Sequence, residues 1–153
     1  MEYLMINLCD CPERLNYYIN HDEIRPNITQ DSDPEYLDAT ELLKQPGTYF
    51  FAGDGIALLC WGVGDKIYEA DIYALPRKMG RPAKDAAKQV IDYMFCVAKA
   101  GKIIIRVPSF NKAAQTFDYG LGFRRFKVEP GAWVKHNKCY DLIWYELRAE
   151  WAE

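Results

Sequence analysis

Histidine is scarce in this sequence, and its few cysteines follow no metal-binding rhythm. Only His21 and His136 could offer imidazole ligands, and neither Cys-x-x-Cys nor His-Glu-x-x-His occurs, so no metal site is expected. The five cysteines, Cys9, Cys11, Cys60, Cys96 and Cys139, are odd in number. Cys9 and Cys11 also sit too close together to close a useful loop, so all five read as reduced thiols of an intracellular protein. Long apolar runs are missing too. None approaches the ~20 residues that cross a bilayer, and the N-terminus lacks a basic segment followed by an apolar one, so no membrane partner and a cytoplasmic location are expected. There is no excess of positive charge: the net charge of −3 at pH 7 argues against a nucleic-acid partner. Internal repeats, low-complexity segments and long linkers are absent, and residues 1–153 are expected to form a single domain.

What is present is apolar and aromatic. Half of the residues are hydrophobic, with 11 Tyr, 7 Phe and 4 Trp, a composition that buries a core without disulfide or metal staples. Tyr3 to Leu8 reads as a short first strand, stopped at Cys9-Asp10-Cys11-Pro12. Pro12 suits a first helical turn, and Leu15, Tyr18 and Ile19 recur at helical spacing up to Asn20. Arg25-Pro26-Asn27 breaks that pattern. Asp33 is a good N-cap for a second helix starting at Pro34, carrying Tyr36, Leu37, Leu42 and Leu43 and ending at Pro46-Gly47. Thr48 to Ala52, Ile56 to Val63 and Ile67 to Leu75 then read as a three-strand antiparallel meander, separated by Gly53-Asp54-Gly55 and Gly64-Asp65.

Ala83, Ala86, Ala87, Val90, Ile91, Met94, Phe95 and Ala98 form one apolar stripe on a helix of about 19 residues, roughly 28 Å long. Cys96 is expected to pack within this helix, and Gly101 to end it. Ile103-Ile104-Ile105 is a continuous apolar run, suited to a strand covered on both faces. Pro108 and Ser109 interrupt it before Asn111 caps another helix, with Ala114, Phe117 and Leu121 inward and Gly122 past its end. Phe123 to Val128 and Cys139 to Leu147 read as two strands joined around Glu129-Pro130-Gly131 and His136-Asn137-Lys138. The order is β-α-α-β-β-β-α-β-α-β-β. In it, the loop Pro76 to Arg81 joins the end of a central strand to a helix N-terminus, where unpaired amides favour a phosphate group.

This order, with its landmarks, resembles the GNAT superfamily of acetyl-coenzyme A dependent N-acetyltransferases. The landmarks are Ala74-Leu75-Pro76, Gly80-Arg81-Pro82-Ala83, Asn111-Lys112-Ala113-Ala114 through Leu121-Gly122-Phe123-Arg124, and Tyr140-Asp141-Leu142 with Tyr145, Leu147 and Trp151. The resemblance implies an α/β (α+β) fold with a mixed, mostly antiparallel central sheet, and acetyl-CoA as cosubstrate. It implies transfer of acetyl to a primary amine of an acceptor, small molecule or protein. It further implies coenzyme contacts from Leu75, Arg77, Lys78, Met79, Gly80, Arg81 and Ala83. The family's pyrophosphate loop, Arg/Gln-x-x-Gly-x-Gly/Ala, can be aligned from Arg77 or, keeping the helix register, from Met79. In either alignment Pro82 removes one N–H donor from the phosphate cradle. Arg77, Lys78 and Arg81 either supply charge for phosphate or form a solvated basic loop.

A neutral amine nucleophile needs a proton acceptor, because a free lysine amine with a pKa near 10.4 is mostly protonated at neutral pH. Glu69 and Asp71 lie two apart on one strand and so share a face. The resemblance makes this strand the site of the catalytic carboxylate; otherwise the two are an exposed pair. The family's tyrosine that protonates the leaving thiolate corresponds here to Asp118, with Tyr119 next to it but turned ~100° around the helix. Asn111 corresponds to a family asparagine that contacts the pantetheine arm, and it also suits a plain helix N-cap. His136 is expected at the surface. The departures at Pro82 and Asp118 motivate a second reading, a GNAT-fold assembly or interaction protein without catalysis. The chain is similar in size to GNAT-like proteins of tailed bacteriophages, some labelled head-assembly proteins, which adds a homodimer or a phage assembly partner as alternatives.

Overall fold

The computed structural model describes residues 6–151. Seven strands form one sheet in the order β1-β2-β3-β4-β5-β7-β6, comprising β1 (Ile6–Leu8), β2 (Thr48–Gly53), β3 (Ile56–Gly64), β4 (Ile67–Ala74), β5 (Lys102–Pro108), β6 (Arg124–Lys135) and β7 (Lys138–Arg148). All neighbouring pairs are antiparallel except β4 with β5. The sheet is thus mixed and mostly antiparallel, as expected. Of the expected first strand, Tyr3 to Met5 lie outside the described residues.

Helices α1 (Pro12–Ile19), α2 (Arg25–Ile28) and α3 (Thr40–Leu43) cover one face, and α4 (Arg81–Cys96) and α5 (Lys112–Gly120) the other. Alternation along the strands divides the core accordingly: Leu58, Cys60 and Ala70 pack towards α4, while Ala57, Leu59 and Tyr73 pack towards α1. Among the described residues, no helix is long and apolar enough to cross a membrane.

The helix expected from Asp33 to Gln45 does not form as such. Asn16 of α1 and Asn20 just past its end, one turn apart, capture the backbone of residues 37–39 instead. Asn20 accepts from the Leu37 amide at 2.8 Å and donates to its carbonyl at 2.7 Å, and Asn16 accepts from the Ala39 amide at 2.8 Å. Those amides are unavailable to a helix, and only Thr40–Leu43 remains helical, while Asp33 accepts from the Gln30 amide rather than capping. Arg25-Pro26-Asn27, read as a break, forms the short α2, with Pro26 in the first turn where its missing N–H costs nothing.

Two further boundaries differ. Helix α4 ends at Cys96, short of the Gly101 expected to end it, and Lys99 takes the left-handed conformation (φ 61°). Cys96 is exposed, because the stripe of Ala83, Ala86, Ala87, Val90 and Met94 points the other way. Glu129-Pro130-Gly131 is no loop either: β6 runs through it with a register shift between Glu129 and Trp133. An edge strand tolerates a proline that cannot donate to a ladder, and the bulge absorbs it. The hairpin turns at His136 and Asn137, both at positive φ (52° and 59°).

Replacing Asn16 with alanine leaves the Ala39 amide without its partner and removes one donor from Asp38 Oδ1, which keeps the Thr40 amide and hydroxyl. We expect the variant to lose about 1–3 kcal/mol of unfolding free energy in urea titration, and an unchanged midpoint would show that residues 37–39 need no such clamp.

Candidate active site

Strands β4 and β5 pair only at Ile67–Lys102, Tyr68–Ile103 and Glu69–Ile104. Beyond Glu69, β4 continues against β3 and β5 continues against β7, so the two part. The gap is a cleft of about 450 Å³ lined by residues of both strands, of α5, of β6 and of the loop after α2. That loop is fastened over one end of the cleft. Asp31 accepts from the amides of His136 and Asn137 at 2.9 and 3.0 Å, and the Asp31 amide donates to the Val134 carbonyl at 2.8 Å. Lys135 adds bonds to the carbonyls of Pro26 and Thr29. His136 is exposed at the hairpin tip, with its backbone engaged rather than its ring.

The loop from Leu75 to Gly80 follows β4 directly. Leu75 is anchored by its amide to the Gly55 carbonyl at 2.9 Å, and a 3₁₀ turn over Pro76–Lys78 follows. Gly80 sits at φ 91°, a conformation that side chains rarely adopt, and an added Cβ there would meet nothing within 4 Å. The first bond of α4 runs from the Lys84 amide to the Gly80 carbonyl. The amides of Gly80, Arg81 and Ala83 therefore have no acceptor among the described residues. Pro82 occupies the first turn and withholds a fourth.

The cations of this loop are partly engaged. Arg77 and Lys78 reach Asp54 at 3.3 and 3.6 Å, and Arg81 reaches Asp85 at 3.7 Å. Arg77 holds the Asp54 carboxyl below its ordinary range. The Arg77–Asp54 and Arg81–Asp85 pairs are solvent-exposed and weak enough for an incoming phosphate to exchange them, whereas the Lys78 side chain is largely covered. Met79 is exposed beside them. The loop offers three backbone donors and displaceable cations, which suits a diphosphate.

Glu69 and Asp71 both line the cleft, as alternation along β4 requires, but their surroundings differ. Glu69 is buried, and Arg106 of β5 donates to its Oε2 at 2.6 Å across the mouth of the gap. Arg106 is itself seated over the Trp144 ring, 5.3 Å from its centroid. Asp71 receives a hydrogen bond from the Tyr73 hydroxyl at 3.1 Å. Desolvation and then the Glu69 charge push it up to about 7, against the smaller opposing effects of Tyr73 and Arg106.

Asp118 is 2% exposed on the inner side of α5, and its Oδ2 has no hydrogen-bond partner among the described residues. Desolvation, with the charge of Asp71 second, pushes its carboxyl up to about 8. The neighbouring Tyr119 is 65% exposed, faces away from the cleft, and lies under the Arg124 guanidinium at 5.1 Å. Asn111 lines the cleft and also caps α5, its Oδ1 accepting from the Ala114 amide at 3.1 Å. Burial pushes the Cys60 thiol up to about 12, which leaves it inert.

Sequence reasoning missed Arg106 and Glu129 as parts of the cleft. Arg106 carried a signal, a charge set directly after three isoleucines in a strand otherwise covered on both faces. Glu129 carried none, because its segment read as a loop. Trp133, one of three tryptophans expected in the core or a pocket wall, does line the cleft.

No family model matches the chain, and no curated protein sequence matches it. Solved structures do. Ribosomal-protein-alanine N-acetyltransferase from Brucella melitensis superposes with a TM-score of 0.79 at 13% identity, over 95% of this chain and 99% of that one. The yncA protein from Salmonella typhimurium, solved with acetyl-CoA as its cofactor, gives a TM-score of 0.76 at 17% identity over 96% and 94%. A variant of spermidine N-acetyltransferase from Vibrio cholerae gives 0.76 at 14% over 98% and 100%. The chain therefore has the GNAT N-acetyltransferase fold.

The sign of the Asp118 shift sets a stability test. The unfolded chain releases this proton near its ordinary pKa, while the folded chain keeps it to about 8, so between those values stability falls as pH rises and is level above. Asp118→Asn should melt with the wild type at pH near the ordinary carboxylate pKa and several degrees higher at pH 8. An equal difference at both pH values would show that the carboxyl does not titrate in this range.

Proposed function

We propose that this protein is an N-acetyltransferase that moves an acetyl group from acetyl-CoA directly to a primary amine. One observation carries the proposal: β4, which parts from β5 beyond Glu69, leads through a short loop to unpaired amides at Gly80, Arg81 and Ala83. That arrangement lets a long, thin ligand lie between the strands with its diphosphate at the N-terminus of α4. Gly80, Arg81 and Ala83 would hold the phosphates through backbone donors, with Arg77, Lys78 and Arg81 as nearby charge. Leu75, Met79 and Asn111 would line the path of the arm. Bound there, the coenzyme supplies an activated acyl carbon.

The other residues of the cleft suit a cationic acceptor. Asp33, Glu69, Asp71, Asp118 and Glu129 face Arg106 as the sole cation lining it among the described residues. Such a surplus of carboxyls attracts an ammonium group from solvent. Before it can attack, the amine must lose a proton. Asp71 is the base we assign, since a carboxyl at about 7 is largely ionised at slightly alkaline pH yet basic enough to accept. Glu69 keeps its carboxylate on Arg106 and orients the mouth of the cleft.

The rival account, a fold kept for assembly with catalysis lost, draws on Pro82 and Asp118. Calorimetry separates the two. We expect acetyl-CoA to bind at micromolar concentration and Gly80→Asp, which sets an anion and a strained backbone into the cradle, to weaken it at least about tenfold. No heat at millimolar acetyl-CoA would favour an assembly role, in a homodimer or a phage head.

Turnover gives a second check. Asp71→Asn should lower kcat about 10²–10⁴-fold with acetyl-CoA binding kept. Wild-type kcat should fall as pH drops below about 7, where Asp71 gains its proton. Turnover that survives Asp71→Asn but not Glu69→Gln would move the base to Glu69.

A further inference from the structure

The cleft holds a base for the amine, and a departing thiolate needs a proton of its own. We propose that Asp118 protonates the leaving sulfur, its carboxyl reaching into the cleft from α5 opposite Asp71. The assignment rests on the acetyl-transfer reading above and deepens it.

Elimination supports it first. Among the described residues lining the cleft there is no tyrosine, histidine, cysteine, serine, threonine or lysine. Tyr119 is turned outward, Tyr140 stacks on Phe110 at 5.0 Å, and the Tyr145 hydroxyl lies 3.5 Å from Gln115 Oε1. The acids that remain are carboxyls, and of these Glu69 is paired with Arg106.

The setting of Asp118 supplies the second argument. On the side of α4 it meets Ala87, Val90 and Ile91, and beside it lie Ile105, Phe117 and Phe123. The titratable and charged groups about it are Asp71 and Glu69 on β4, Arg106 on β5, Cys60 on β3 and Tyr145 on β7. None of them donates to its Oδ2. An ionised carboxylate left without donors in such a place is costly, so the group stays a neutral acid to about pH 8. A neutral acid carries an O–H in search of an acceptor, and the open direction is the cleft. Leucine would fill this space without the burial cost, so the carboxyl contributes nothing to packing that leucine would not.

The step balances. The ammonium first loses one proton through Asp71 to solvent; the neutral amine nitrogen then bonds to the acyl carbon, and Asp71 takes the second proton that nitrogen sheds. The carbon–sulfur bond breaks with its electron pair on sulfur, and Asp118 gives its proton to that sulfur. Asp71 then holds one proton more and Asp118 one fewer. A single proton passing from Asp71 to Asp118, directly or by water, restores both.

Two measurements on the full chain test this. In the ligand-free protein at pH 7, the infrared carbonyl band of a protonated carboxylic acid should be present and should lose intensity in Asp118→Asn. No such loss overturns the proposal whatever the turnover. In thiol release from acetyl-CoA with spermidine as the probe acceptor, wild-type kcat should fall above about pH 8. Asp118→Asn should lower kcat about 10²–10⁴-fold, keep the KM for acetyl-CoA and abolish the alkaline fall, while Asp118→Glu keeps the fall. Undiminished kcat in Asp118→Asn, or an alkaline fall that persists in it, overturns the role of Asp118 alone. A wild type that binds no acetyl-CoA overturns the acetyl-transfer reading and this one with it.

Discussion

Three residue pairs of parallel ladder hold β4 against β5, and the ladder stops at Glu69 and Ile104. Each strand then finds its partner on the other side, β4 with β3 and β5 with β7, so that both stay hydrogen-bonded on one edge while their facing edges are free. Free backbone groups inside a protein are costly unless something accepts them. A gap of this kind is therefore a place prepared for an extended ligand with polar groups along its length. The Arg106–Glu69 pair crosses the gap at the last point where the strands are close, and so marks where it begins.

Electrostatics set the cleft apart from the loop that follows β4. Around Gly80, backbone donors and exchangeable cations favour a phosphate. In the cleft, carboxyls outnumber the single guanidinium among the described residues and favour an ammonium. Asp71 and Asp118 both line it. They belong to opposite faces of the sheet, and they sense one another because no strand closes the space between β4 and α5. Two carboxyls in a dry, shared space do not ionise together easily, and their different surroundings separate their titrations. Asp71, with the Tyr73 hydroxyl and Arg106 at hand, ionises first. Asp118, with neither, ionises last.

Much of the scaffold was legible in the residue pattern. The stripe of Ala83, Ala86, Ala87, Val90 and Met94 determines α4 by itself, and Asn111 marks the start of α5. The alternation in Ile67 to Leu75 puts Glu69 and Asp71 on one face without further information. What failed was local signal overruled by distant partners. Residues 37–39 have helical neighbours but are held by Asn16 and Asn20, some twenty positions earlier. Pro130-Gly131 has every mark of a turn, yet β7 carries the strand straight past it. The cleft itself was invisible for the same reason, since the end of a ladder between β4 and β5 has no signature in either strand. Asp118 was visible only as a departure from a family pattern, and its meaning required knowing that nothing nearby donates to it.

The roof of the cleft is tied down mainly through main-chain atoms. Asp31 grips two amides of the hairpin tip, and the Val134 carbonyl and the carbonyls of Pro26 and Thr29 complete the seam. Amides and carbonyls are common to every residue but proline's missing N–H, so the seam reads shape and not identity. Asn27 and Ile28 can thus be exchanged for other side chains while the cleft beneath keeps its shape, whereas Gln30 joins the seam itself, its Oε1 accepting from the Val134 amide at 3.2 Å. Selectivity for one amine over another would be adjustable in that short stretch, with the chemistry below left as it stands.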